Sequence, residues 1–214
     1  MTNEEILAHV DHTLLKATAT WVEIEKLCTE AVRYKTASVC VPPSYVRRIH
    51  EAYSGLNICT VIGFPLGYSD VTAKAMEAEA AVDDDANELD MVINIGDVKN
   101  GHFDAVRYEI AALKKVAGDK ILKVIVETCY LTTEEKIRLC GLVTEAGADY
   151  IKTSTGFGPA GAALEDVLLF KQHIGPGVKI KAAGGIRTRE DMEKFISAGC
   201  ERIGSSSAVA ILGD

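Results

Sequence analysis

The chain has 214 residues, is 48% hydrophobic and carries a formal net charge of −8. That length and apolar content suit a single α/β domain over residues 1–214 with a full core. The acidic balance, with no run of Lys or Arg, excludes a surface that tracks nucleic-acid phosphates.

The first five residues are acidic rather than basic, and no long apolar run follows them. Neither a signal peptide nor a membrane span is expected, and the protein is expected in the cytoplasm. Cys28, Cys40, Cys59, Cys129, Cys140 and Cys200 contain no Cys-x-x-Cys pair, which disfavours zinc and fits reduced thiols. Within His9-Val10-Asp11-His12-Thr13 a short strand is expected. Asp11 reads equally as its charged member or as a turn cap, and the two histidines lack a third ligand at metal spacing.

Trp21, Ile24, Leu27, Cys28, Ala31 and Val32 recur at helical spacing behind Thr20, with Glu23 completing a capping box. A strand over 37–41 stops at Pro42-Pro43, and a helix is expected over 44–53. Residues 57–63 read as the next strand. Asp70 caps a helix reaching Ala81, and Asp83-Asp84-Asp85 ends it in solvent. The strand with Asp90 follows, then a helix from Phe103 to Ala117 closed by Gly118. Lys123 lies in the next apolar strand, ahead of a helix beginning at Thr132 or Thr133 and closed by Gly147. Lys152 lies near the end of the strand after that, and a helix runs from Leu164 to His173. Lys181 is in the strand that follows, Thr188 caps a helix from Arg189 to Ala198, and a last strand near 201 precedes a helix starting about Ser206.

Strands near residues 9, 38, 58, 89, 122, 149, 179 and 201 make eight, alternating with helices and mostly apolar on both faces. Parallel sheets read this way. Eight such units in this length predict a (β/α)8 barrel rather than a doubly wound sheet, which would carry a G-x-G-x-x-G fingerprint that the chain lacks.

Four strands in succession therefore carry an ionisable group: Asp90, Lys123, Lys152 and Lys181. Each alone could be a strand-end charge reaching solvent. In step along a repeat they point to one converging cluster. Two ammonium groups ~5 Å apart at an effective dielectric near 20 repel by roughly 3 kcal/mol. Desolvation acts in the same direction, so a lysine so placed can be a neutral amine able to attack a carbonyl. Asp90 can keep a neighbouring lysine charged and pass protons through water. Glycine turns at Gly156 and Gly184-Gly185, and Gly204-Ser205-Ser206-Ser207 at the last helix, offer N–H groups and hydroxyls to a phosphate.

Six stretches carry a resemblance over nearly the whole chain: Asp11-His12-Thr13-Leu14-Leu15, Gly63-Phe64-Pro65-Leu66-Gly67, Glu88-Leu89-Asp90-Met91-Val92-Ile93-Asn94, Lys123-Val124-Ile125-Val126-Glu127-Thr128, Lys152-Thr153-Ser154-Thr155-Gly156-Phe157 and Lys181-Ala182-Ala183-Gly184-Gly185-Ile186-Arg187-Thr188. Together they resemble the class I deoxyribose-phosphate aldolase family. The resemblance implies reversible cleavage of 2-deoxy-D-ribose 5-phosphate to acetaldehyde and D-glyceraldehyde 3-phosphate, without metal or organic cofactor. It implies Lys152 as the Schiff-base lysine, Lys181 as the second lysine that favours its neutral form, and Asp90 as the proton-relay acid; Asp11 and Lys123 are expected as supporting residues of the same site. It implies phosphate binding by Gly156, Gly184, Gly185, Gly204, Ser206 and Ser207. Phe157 stands where some members have a phosphate-facing lysine, which leaves Arg187 as the nearest cation, and the tyrosine tail of some members is missing. The expected partners are a phosphorylated sugar and an aldehyde, with self-association as a dimer or tetramer. Two other activities fit the residues: another Schiff-base barrel aldolase on a keto-sugar phosphate, and a barrel that binds a sugar phosphate without turnover.

Overall fold

The computed structural model describes residues 1–213. Eight strands close into a parallel barrel in chain order: β1 (Val10–Thr13), β2 (Ser38–Val41), β3 (Ile58–Ile62), β4 (Glu88–Val92), β5 (Ile121–Ile125), β6 (Tyr150–Lys152), β7 (Lys179–Ala183) and β8 (Arg202–Ser205). The barrel expected from the strand count is thus present. Helices α1 (Asn3–Leu7), α2 (Trp21–Tyr34), α3 (Val46–Ala52), α4 (Val71–Asp83), α5 (Ile95–Lys99), α6 (Phe103–Ala117), α7 (Thr133–Glu145), α8 (Leu164–His173), α9 (Arg189–Ala198) and α10 (Ala208–Leu212) complete it.

The local signals explain these boundaries. Thr20 with Glu23 and Thr132 with Glu135 form capping boxes, each satisfying two of the backbone N–H groups that a helix start leaves open. The helix expected over 44–53 is shorter, because Pro43 opens a 3₁₀ turn through Tyr45 before α3 begins. The last helix begins at Ala208, two residues past Ser206. In α2 the inward stripe is Ile24, Leu27, Cys28 and Ala31, whereas Val32 is 56% exposed. The acidic end of α4 is not left to water alone, since Arg47 pairs with Asp84 at 2.5 Å.

Strand residues are buried on both faces, and the alternation divides them by chemistry rather than by solvent. Val39, Ile58, Leu89, Leu122, Ile151 and Ile180 face the helices and join the main core. Cys40, Cys59 and Val61 form a separate small apolar cluster capped by Leu15 and Phe64. It lies on the inner face, beside the ionic groups that fill the rest of the barrel. Outside the barrel, the fully buried Lys74 on α4 ties the loops together. Its Nζ donates to the Gly67 and Val92 carbonyls at 2.5 and 2.8 Å and pairs with Glu109 at 2.5 Å.

Candidate active site

The barrel register sets the site. Lys123 lies opposite Asp90 across β4 and β5, and Lys152 lies opposite Lys181 across β6 and β7. All four side chains point inward and are buried, as is Asp11 on β1. Asp11 is therefore a barrel-interior charge and not a turn cap.

Two tiers of ions follow from the pleat, since residues two apart on one strand face the same way. In the lower tier Glu88 accepts from Arg202 at 2.8 Å, and Arg202 also reaches Asp11 at 2.5 Å. In the upper tier Asp90 Oδ2 accepts from both Lys152 and Lys181, at 2.8 and 2.7 Å, and Lys181 also pairs with Asp11 at 2.5 Å. Lys123 joins the tiers, 2.5 Å from Glu88 and 2.8 Å from Asp90. Bare repulsion between two lysines, expected from the sequence, is too simple a picture, because a shared carboxylate oxygen lies between them.

The electrostatics are set by this count. Four basic side chains (Lys123, Lys152, Lys181 and Arg202) meet three carboxylates (Asp11, Glu88 and Asp90). Burial works against the ionised form of Asp90, but Lys123, Lys152 and Lys181 hold its carboxyl well below the usual range. Burial opposes the charge on Lys181 as well, and Asp11 and Asp90 more than reverse that, keeping it protonated. Burial again opposes and carboxylates again prevail at Lys123, led by Asp90. Protonating all four bases would leave one positive charge in excess among buried side chains.

Of the three inward-facing lysines, Lys152 opens onto the main cavity. The cavity, about 610 Å³, is lined by Lys152 but not by Lys123 or Lys181. It is also lined by Gly156, Gly184, Gly185, Gly204, Ser206 and Ser207, with the exposed Arg187, so the expected phosphate residues are brought together around one space. Gly184 and Gly185 have φ of 84° and 76°, a left-handed turn that suits glycine; a Cβ at Gly184 would press on the Gly161 backbone, whereas at Gly185 it would meet open space. Phe157 lines the same mouth and meets Phe64 edge to face, with ring centroids 5.3 Å apart.

Several members of the site escaped sequence reasoning. Lys16, in the loop after β1, supplies a second cation to the cavity wall. Its position directly after Asp11-His12-Thr13-Leu14-Leu15 was the available signal. Glu88 and Arg202 stand beside polar residues at strand starts and look like solvent-facing ends.

Two sets of side chains have metal-ligand proximity: Cys40 with Cys59 and Asp90, and Asp11 with Cys59 and Glu88. Their carboxylates already neutralise buried ammonium and guanidinium groups, so a divalent cation would add charge to a cluster with a surplus of it. The donor set does not suit a metal. His12, buried on β1, bonds Glu30 at 2.8 Å through Nε2, which gives it a structural partner.

A closed parallel barrel with a buried yet cavity-facing amine among acid and base partners defines a protein suited to carbonyl chemistry at a lysine. The pattern described as DeoC/LacD family aldolase matches residues 6–210. The chain belongs to this family of aldolases and is a lyase. It is 64% identical over 213 residues to a protein of Clostridium botulinum (strain Alaska E43 / Type E3) named deoxyribose-phosphate aldolase, covering 99% of this chain and 96% of the relative. A protein of the same name from Clostridioides difficile (strain 630) is 56% identical over 210 residues, covering 98% and 96%. Among solved structures, the tetrameric deoxyribose phosphate aldolase from Aeropyrum pernix has a TM-score of 0.92 at 32% identity, covering 99% of this chain and 91% of that one.

Proposed function

We propose that this aldolase reversibly cleaves 2-deoxy-D-ribose 5-phosphate to acetaldehyde and D-glyceraldehyde 3-phosphate through a Schiff base on Lys152. The observation that carries the assignment is that Lys152 alone of the three inward-facing lysines lines the cavity, while sharing an Asp90 oxygen with the charged Lys181. The names of the relatives support the substrate, and the glycine and serine wall suits its phosphate.

The neutral Lys152 amine adds to C1 of the open-chain aldehyde, and loss of water from the carbinolamine gives the iminium. A base takes the proton of the C3 hydroxyl, the C2–C3 bond breaks, and its electron pair passes to the iminium to give an enamine. Glyceraldehyde 3-phosphate leaves. Protonation at C2 and hydrolysis then release acetaldehyde and the amine. Asp90, in contact with Lys152 and Lys181, relays protons through water in forming and dehydrating the carbinolamine. Asp11 and Lys123 hold Lys181 and Asp90 in place and in charge.

No helix among the described residues is long and apolar enough to cross a membrane. The six free cysteines support work in the cytoplasm. The tetrameric relative from Aeropyrum pernix supports self-association as a dimer or tetramer, which light scattering would measure.

The test is reduction with borohydride in the presence of acetaldehyde, followed by peptide mass mapping. A two-carbon adduct on Lys152 is expected, and Lys152→Ala should lose adduct and cleavage while keeping its fold. An adduct mainly on Lys181 or Lys123 would overturn the assignment.

A further inference from the structure

Glu127 is a buried carboxylate at the edge of the site to which the proposed chemistry gives no part. It follows β5 at an irregular point of the ladder. Val126 N–H donates to the Lys152 carbonyl at 3.1 Å, and Thr128 N–H donates to the Thr153 carbonyl at 2.9 Å. Donors two residues apart on one strand thus meet successive carbonyls on the other, so Glu127 is an inserted residue of the bulge type. Its φ of 52° lies in the left-handed region, uncommon for a residue with a side chain.

The insertion aims Glu127 at the loop after β6. The Thr155 N–H donates to both Glu127 oxygens, each at 3.2 Å, and the Thr155 hydroxyl donates to Oε2. The same hydroxyl accepts the Phe157 N–H at 3.0 Å. Gly158 comes so close that a Cβ there would stand 3.2 Å from Glu127 Cδ and Oε1. One carboxylate therefore shapes the turn 155–158, and Thr155, Gly156 and Phe157 of that turn line the cavity. Glu127 itself does not line it, and both of its oxygens are engaged by Thr155.

We infer that Glu127 is a positioning residue that holds the Thr155–Gly156–Phe157 turn in its phosphate-accepting shape before substrate arrives, and so sets the preference for phosphorylated over unphosphorylated sugar. The inference rests on the phosphate site assigned in the proposed function. A carboxylate suits the task because it accepts an N–H and an O–H at once. A glutamine in its place offers one good acceptor and turns an NH₂ toward donors, so the turn loses a bond and must be ordered by the ligand instead, at a cost in affinity.

The experiment measures kcat and KM of wild type and Glu127→Gln on deoxyribose 5-phosphate and on deoxyribose, with inhibition by inorganic phosphate alongside. The expected result is a KM for the phosphorylated sugar raised about tenfold with kcat changed much less, a similar weakening of phosphate inhibition, and a tenfold fall in the ratio of the two kcat/KM values. Thr155→Val, which removes the hydroxyl at nearly constant shape, should reproduce the fall and carries the test should Glu127→Gln not fold. Equal losses on both sugars, or an unchanged ratio in both variants, would overturn the inference. A wild type that cleaves neither sugar would instead overturn the proposed function.

Discussion

Lys152 and Lys181 stand opposite one another in the register of β6 and β7 and donate to the same oxygen, Asp90 Oδ2, at 2.8 and 2.7 Å. The pair is thus organised by one carboxylate, and its chemistry depends on the balance of four basic groups against three acids. Lys181→Leu brings the count to three against three, so every remaining amine can keep its proton. Activity near neutrality should fall by at least about tenfold and return in part at alkaline pH, where the amine loses its proton. Lys152→Leu should recover at no pH. A pH-rate profile decides it, and a loss in Lys181→Leu that is the same at every pH would mean that Lys181 donates a proton directly.

Removing the 5-phosphate from the substrate should lower kcat/KM by about a hundredfold or more, because a dianion held by bare N–H groups supplies binding energy remote from the reacting carbons. Comparison of deoxyribose with its 5-phosphate measures this, and equal activity on the two would refute a phosphate site at Gly184, Gly185, Gly204, Ser206 and Ser207.

Arg187 lines the same cavity and is exposed. Arg187→Ala should cost less, about three- to tenfold in kcat/KM on the phosphorylated sugar, since a solvent-screened cation adds modestly to binding. Lys16, on the same cavity, leaves room for the loss to be shared. Unchanged kinetics would show that the guanidinium faces water.

The ion cluster also fixes how stability responds to pH. Burial acts to raise Asp90, yet its lysine neighbours hold it low, so its contribution is complete above the ordinary carboxylate value near 4 and is lost only as pH falls through a lower one. Burial acts to lower Lys181, yet Asp11 and Asp90 hold it high, so its contribution is complete below the ordinary value near 10 and is lost as pH rises through a higher one. Between about pH 5 and pH 9 these groups add no slope. Asp90→Asn takes from Lys152 its one carboxylate partner, while Lys123 keeps Glu88 and Lys181 keeps Asp11; it costs about 3–5 kcal/mol and should make stability rise toward alkaline pH, because the unfolded chain then binds more protons. Urea unfolding at about pH 6 and about pH 9 should reveal that slope, and a flat response would mean the ammonium groups had found other partners.

The barrel and its lysines were legible because charge in a short apolar strand is conspicuous, and because Lys123, Lys152 and Lys181 recur in step with the repeat. Asp11 stayed ambiguous for the opposite reason: one carboxylate in a four-residue strand has no pattern around it. Helices α1 and α5 span five residues each, too few to show a period. Lys74 lies in an Ala- and Glu-rich stretch that looks like a solvated helix, and only tertiary contacts with Glu109 and with the Gly67 and Val92 carbonyls take it out of water. The role of Glu127 depends on a ladder irregularity that no residue pattern announces.

The barrel is open at one end only. Below Lys123 its bore is filled by Glu88, Arg202 and Tyr150, while Lys152 meets the cavity above. Sugar, water and both aldehydes must share a single entrance, and that imposes a queue. On the proposed chemistry the larger phosphorylated fragment leaves by the doorway through which the sugar came, while the two-carbon remnant, tethered to Lys152, cannot drift out ahead of it.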